Sequence, residues 1–128
     1  MDNKFRIALI IGLGGGIGSI FRYAVQVLAG RYLTANFPLG TLLVNLSGCL
    51  LIGILYSLFT RHTAFSVEWR LFLITGICGG YTTFSSFSLE SVSLFKQGNY
   101  TYFILYTSLS FLLGLLATVG GITLARYW

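Results

Sequence analysis

The sequence predicts an all-α integral membrane protein: a single domain, residues 1–128, of four transmembrane helices, the third broken at Gly79-Gly80. Three observations lead there. Charged residues are only 9% of the chain and hydrophobic residues 55%, with a mean hydropathy of +0.83. The 8 basic and 3 acidic residues fall in short clusters separated by long uncharged stretches. Glycines recur at the spacing that lets helices pack closely. A soluble domain carries about 25% charge, and a small one needs polar residues to cover its large surface. This composition therefore argues against a soluble enzyme. The apolar content and 16% aromatics exclude disorder.

The first span is expected at about 5–28. Its uncharged core, Ile7 to Phe21, is short, but Arg6 and Arg22 can snorkel to the two interfaces. Lys4 and Arg6 before an apolar run also resemble a signal peptide. Arg22 and the further apolar stretch to Ala29 fit a retained helix better. The run Gly12-Leu13-Gly14-Gly15-Gly16-Ile17-Gly18 fails as a dinucleotide loop, because no frame supplies all three glycines and no strand precedes it. Gly12/Gly16 and Gly14/Gly18 read instead as small-xxx-small pairs, as do Gly76/Gly80 and Ala117/Gly121. That pattern predicts a tight bundle with the first helix at its centre.

The second span, 39–60, is uncharged from Leu39 to Thr60, enough for the roughly 20 apolar residues a crossing needs. Thr41 and Asn45 stand at i,i+4 within it and share a face. An asparagine facing lipid is costly. The third span, 71–95, is unusual. Gly79-Gly80 weakens the helix, and Thr82, Thr83, Ser85, Ser86 and Ser88 follow at membrane depth. Irregular backbone there must be buried in protein or line a polar cavity, and broken helices often present carbonyls to ions. Thr82 or Thr83 suits the N-cap of a second half-helix. The alternative is an unbroken helix whose hydroxyls bond back to its own carbonyls. Phe84 and Phe87 follow at i,i+3. They are either packing residues or, with their positive ring edges, part of a weakly positive lining for a small anion. The fourth span, 100–125, places Tyr106 and Ser110 at i,i+4.

Four spans put both termini on one side, with Lys4, Arg6, Arg61, Arg70 and Arg126; Arg22, Arg31 and Lys96 lie on the other. This weak bias favours cytoplasmic termini and permits insertion both ways. The net charge of +5 is interfacial and forms no nucleic-acid patch. Cys49 and Cys78 fall inside spans and read as packing residues. His62 is the only histidine, and it lies in a loop. No metal-ligand spacing and no Ser/His/Asp set emerges, so the chain is not expected to be an enzyme.

Gly40-Thr41-Leu42-Leu43-Val44-Asn45, together with Gly76-Ile77-Cys78-Gly79-Gly80-Tyr81-Thr82-Thr83-Phe84-Ser85-Ser86-Phe87-Ser88-Leu89-Glu90, resembles the Fluc family of fluoride channels (CrcB-like proteins). The resemblance covers the whole chain, including the glycine-rich first helix and Arg22 at its end. It implies an antiparallel, dual-topology dimer in the bacterial plasma (inner) membrane, either a homodimer or a pair with an oppositely oriented homologue. Two fluoride pores would lie at the subunit interface, exporting cytoplasmic fluoride passively. It implies that Asn45, Phe84 and Phe87 line the pore, that Thr41 and Glu90 form a polar pair at its end, and that Tyr106 and Ser110 form a polar track. Arg22 would stand near a vestibule. The backbone carbonyls of Gly79 and Thr82 would hold a structural sodium ion at the dimer centre. Gly114 departs from the pattern, standing where a further track hydroxyl can occur; Thr118 or water could replace it. The chief alternative is a small dual-topology multidrug or cation transporter. Such exporters resemble one another in a glutamate within the first helix, and here that helix has no acid.

Overall fold

The computed structural model describes residues 2–33 and 36–128. Four long helical runs make up the described chain. They are α1 (Asn3–Tyr32), α2 (Leu39–Arg61), a composite third run, and α6 (Tyr100–Ala125). The third run begins as α3 (Val67–Arg70), continues as a π-helical stretch over Leu71–Cys78, and ends its first half in α4 (Gly79–Tyr81); α5 (Phe84–Lys96) is its second half. α1, α2 and α6 are each long and apolar enough to cross a membrane. Large apolar side chains face outward, as at Leu13 (67% exposed), Phe111 (68%) and Phe84 (79%). An apolar exterior of this extent is not the surface of a soluble monomer; it suits lipid or a second subunit.

The helix ends follow local chemistry. Asp2 caps α1 by accepting from the Lys4 N–H, and Ser66 caps α3 by accepting from the Trp69 N–H. Gly98, at φ 75°, supplies the left-handed residue that turns the chain between α5 and α6. At one end of the bundle Arg6 pairs with Glu68, and Arg61 donates to the carbonyls of Ala125 and Arg126. Arg70 donates to the Phe59 carbonyl at 2.7 Å. The start of α1, the end of α2, the start of α3 and the end of α6 therefore meet at that end.

Two expectations need correction. The first helix is not central. α2 packs against α1, α6 and the third run, whereas α1 packs mainly on the third run. Gly14 and Gly18 are the contact glycines: a Cβ at Gly14 would stand 2.6 Å from the Phe72 carbonyl oxygen, while Gly12 and Gly16 have nothing within 4 Å. Gly53 and Gly121 do the same work between α2 and α6, facing the backbone of Thr118 and of Leu50.

The break in the third run also differs. Gly79 is helical at φ −63°, ψ −38°. The chain leaves the helix three residues later, at Thr82 (φ −77°, ψ 156°) and Thr83 (φ −147°, ψ 110°). A helical glycine costs only about 1 kcal/mol. At Thr83 a non-helical backbone instead gains a side-chain N-cap on Ser86 and two hydrogen bonds to Asn45. Gly80 serves close packing, since a Cβ there would stand 2.8 Å from the Cα of Gly15. Ser19 Oγ donates to the Gly80 carbonyl at 3.3 Å, tying α1 to the end of this half-helix.

Candidate functional site

The break is held by one side chain. Asn45 Nδ2 donates to the Thr83 carbonyl at 3.0 Å, and its Oδ1 accepts from the Thr83 N–H at 2.8 Å. The amide thus replaces both backbone partners that Thr83 loses on leaving the helix. A side-chain amide carries two N–H donors, so one remains after Thr83 is served. The Thr83 N–H that goes to Asn45 is the donor an unbroken helix would send to the Gly79 carbonyl four residues back. Thr82, with its extended ψ of 156°, turns its carbonyl off the helical direction. Its hydroxyl bonds back to the Cys78 carbonyl at 2.9 Å.

A cavity of about 420 Å³ opens beside the break. Asn45, Gly79, Thr82, Phe84, Phe87 and Ser110 all line it. Its lining therefore joins α2, both halves of the third run, and α6. The Phe84 and Phe87 ring centroids are 5.7 Å apart, with planes at 50°. Ser110 Oγ is shielded from solvent and has no hydrogen-bond partner among the described residues. Leaving such a donor unpaired costs about 1–3 kcal/mol. Gly114 and Thr118 line the same space. The Thr118 hydroxyl donates to the Gly114 carbonyl at 3.1 Å. That bond is the ordinary back-bond of a helical threonine to the carbonyl four residues earlier.

A second cavity, about 290 Å³, is lined by Gln26, Gly40, Thr41 and Glu90, with neighbours from the segment preceding α2. Thr41 Oγ1 donates to Glu90 Oε1 at 2.7 Å, and the Tyr106 hydroxyl donates to Glu90 Oε2 at 2.7 Å. Tyr106 is fully buried. Its ring lies 5.2 Å from that of Phe87 and 5.5 Å from that of Phe37. It therefore links the two cavities: its ring touches a lining residue of the first, and its hydroxyl holds the acid of the second. Arg22 is partly buried on α1 and lines neither cavity. Cys49 and Cys78 are free thiols bordering the first cavity. Among the described residues no His, Cys, Asp and Glu cluster could hold a metal.

The family profile described as CrcB-like protein, Camphor Resistance (CrcB), matches residues 9–122. The chain belongs to the CrcB-like family. A protein of Agrobacterium fabrum named fluoride-specific ion channel FluC is 47% identical over 117 residues, covering 91% of this chain and 94% of the relative. A protein of the same name from Phocaeicola vulgatus is 46% identical over 118 residues, covering 92% and 97%. Another, from Flavobacterium psychrophilum, is 44% identical over 116 residues, covering 91% and 94%. The CrcB-like chain is thus a multi-pass protein of the bacterial plasma membrane, from a family of ion channels rather than enzymes.

Thr83, one of the two capping candidates, is the N-cap of the second half-helix; the hold of Asn45 on its backbone escaped sequence reading, as did Gln26. Gln26 donates to Thr41 Oγ1 at 3.3 Å. Its only sequence signal is a lone amide one turn after Arg22 in an apolar stretch.

Proposed function

We propose that this protein is a passive, fluoride-selective channel that lets cytoplasmic fluoride leave the cell. The observation that carries the reading is one cavity lined by Asn45, Phe84, Phe87 and Ser110, with the Ser110 hydroxyl unpartnered among the described residues. Fluoride is a small, strongly hydrated hydrogen-bond acceptor. Leaving water requires replacement donors, and the spare Asn45 N–H and the Ser110 O–H are of that kind. The positive edges of Phe84 and Phe87 add weak attraction without a full charge. A lysine or arginine in their place would hold the ion too tightly to release it. Tyr106, with Thr41 and Glu90, stands between this cavity and the second one. Arg22, one turn before Gln26 on α1, would draw anions toward that end.

The channel works as an antiparallel dimer with two pores. Phe84, 79% exposed on a single chain, gains a neighbour in such a pairing, and the near-balanced charge at the two ends allows both orientations. The partner is a second copy or an oppositely oriented homologue. A structural sodium ion fits the break. The Gly79 carbonyl has lost its helical donor to Asn45, and the Thr82 carbonyl is turned away from the helix. Carbonyls left unpaired at membrane depth are costly. A hard cation would supply the positive charge they lack, and a two-fold axis would double the set. This site has no carboxylate, which suits a singly charged ion.

The test is efflux from liposomes loaded with fluoride or chloride, read with ion-selective electrodes. Rapid fluoride release with chloride retained is expected. Comparable release of both ions, or of neither, sinks the proposal.

A further inference from the structure

We propose that Gln26 is a positioning residue, whose side-chain amide aims the Thr41 hydroxyl proton at Glu90 and so keeps both oxygens of that carboxylate in hydroxyl hands. The proposal rests on the fluoride-channel reading of the site.

The argument begins with the helix face. Gln26 and Ala29 lie on the side of α1 that meets the start of α2. Gly40 sits opposite: a Cβ there would be 3.4 Å from Ala29 Cβ and 3.7 Å from Gln26 Cγ. The stem of Gln26 is therefore seated against the α2 backbone, with its amide one residue from Thr41. Gln26 Nε2 lies 3.3 Å from Thr41 Oγ1, and Thr41 Oγ1 lies 2.7 Å from Glu90 Oε1.

The direction of these bonds follows from the donors available. A hydroxyl has one proton and two lone pairs, and an ionised carboxylate only accepts. If the Gln26 oxygen faced Thr41, two acceptors would compete for one proton. With the nitrogen facing Thr41, the amide donates to the hydroxyl oxygen and the hydroxyl proton is left for Glu90. The network itself thus selects the orientation of the amide. Tyr106 completes it by donating to Glu90 Oε2 at 2.7 Å. Both hydroxyl protons point toward the carboxylate. Glu90 is held in place at the second cavity, and the Gln26 amide occupies one lone pair of the Thr41 hydroxyl. Without the amide, the Thr41 hydroxyl is free to rotate, and one carboxylate oxygen loses a fixed donor.

The experiment compares fluoride efflux from liposomes for the wild type, Gln26→Met, Gln26→Glu, Thr41→Val, Thr41→Ser, and Gln26→Met in both Thr41 backgrounds. Gln26→Met keeps the length of the side chain and removes the donor. Gln26→Glu keeps the shape and offers an acceptor, which draws the Thr41 proton away from Glu90. Each is expected to slow efflux about fivefold, the scale of one neutral hydrogen bond. The deciding readout is coupling. Gln26→Met should add less than about twofold in Thr41→Val, which has no hydroxyl to orient, and should regain its effect in Thr41→Ser. A residue that merely packs would cost the same in every background. Size-exclusion elution identical to the wild type confirms assembly; if Gln26→Met fails to assemble, Gln26→Leu, which also lacks the donor, is compared in the same Thr41 backgrounds. Wild-type speed in both Gln26 variants, or an undiminished effect in Thr41→Val, overturns the proposal alone. A wild type that releases no fluoride overturns the channel reading and this proposal with it.

Discussion

Ser110→Ala separates stability from conduction. In this structure the Ser110 hydroxyl is buried without a partner among the described residues. Removing an unpaired buried donor lifts a penalty of about 1–3 kcal/mol, less whatever water already repays. The folded protein should therefore be no less stable than the wild type, and its thermal midpoint in detergent should stay level or rise. Conduction should move the other way. A hydrogen bond to a charged group contributes about 1.5–3 kcal/mol. Each 1.36 kcal/mol is tenfold in rate, so losing the bond at the barrier slows fluoride efflux about tenfold or more. The assay pairs electrode-monitored efflux from liposomes with thermal unfolding of the same preparation. Ser110→Thr, which keeps the hydroxyl, should conduct closer to the wild type than Ser110→Ala does. A Ser110→Ala protein that conducts normally, or that loses 1 kcal/mol or more of stability (about the net worth of one satisfied hydrogen bond), would show that the hydroxyl is satisfied by something other than the ion.

Three further outcomes are expected. Phe84→Ile and Phe87→Ile should each slow fluoride efflux severely while the dimer still elutes normally, because isoleucine keeps the apolar bulk and lacks a ring edge; normal efflux in both would reduce the phenylalanines to packing. Gly14→Ala should destabilise the bundle by about 1–3 kcal/mol, since its Cβ would meet the Phe72 carbonyl at 2.6 Å, whereas Gly12→Ala, with open space around it, should be neutral or mildly stabilising; thermal unfolding in detergent compares them, and equal effects would refute the assigned face of α1. Thorough sodium removal should lower the thermal midpoint of the dimer, with recovery on adding sodium back; a midpoint indifferent to sodium would leave the Gly79 and Thr82 carbonyls served by water.

Much of this protein could be read from its residues in order. Membrane residence follows from composition, because a chain with 9% charge has no means of covering itself in water. The extents of α2 and α6 follow from where charges stop and start. Pairs such as Thr41 with Asn45 and Tyr106 with Ser110 were legible because helical periodicity alone puts i and i+4 on one face. What periodicity does not state is which faces meet. Gly12/Gly16 and Gly14/Gly18 are equivalent as spacing, and only the third run, lying against Gly14 and Gly18, distinguishes them. The same holds for the break. Gly79-Gly80 is the weaker local sequence, yet the helix ends at Thr82-Thr83, because Asn45, 38 residues earlier in the chain, offers its amide to the Thr83 backbone. Gln26 is likewise an unremarked amide in sequence. Its role depends on Gly40 bringing α2 close enough for Thr41 to stand between it and Glu90. Local propensities act within a turn or two of chain, and they set where helices run. Hydrogen bonds between distant segments decided where one of them stops and which polar groups face a common cavity.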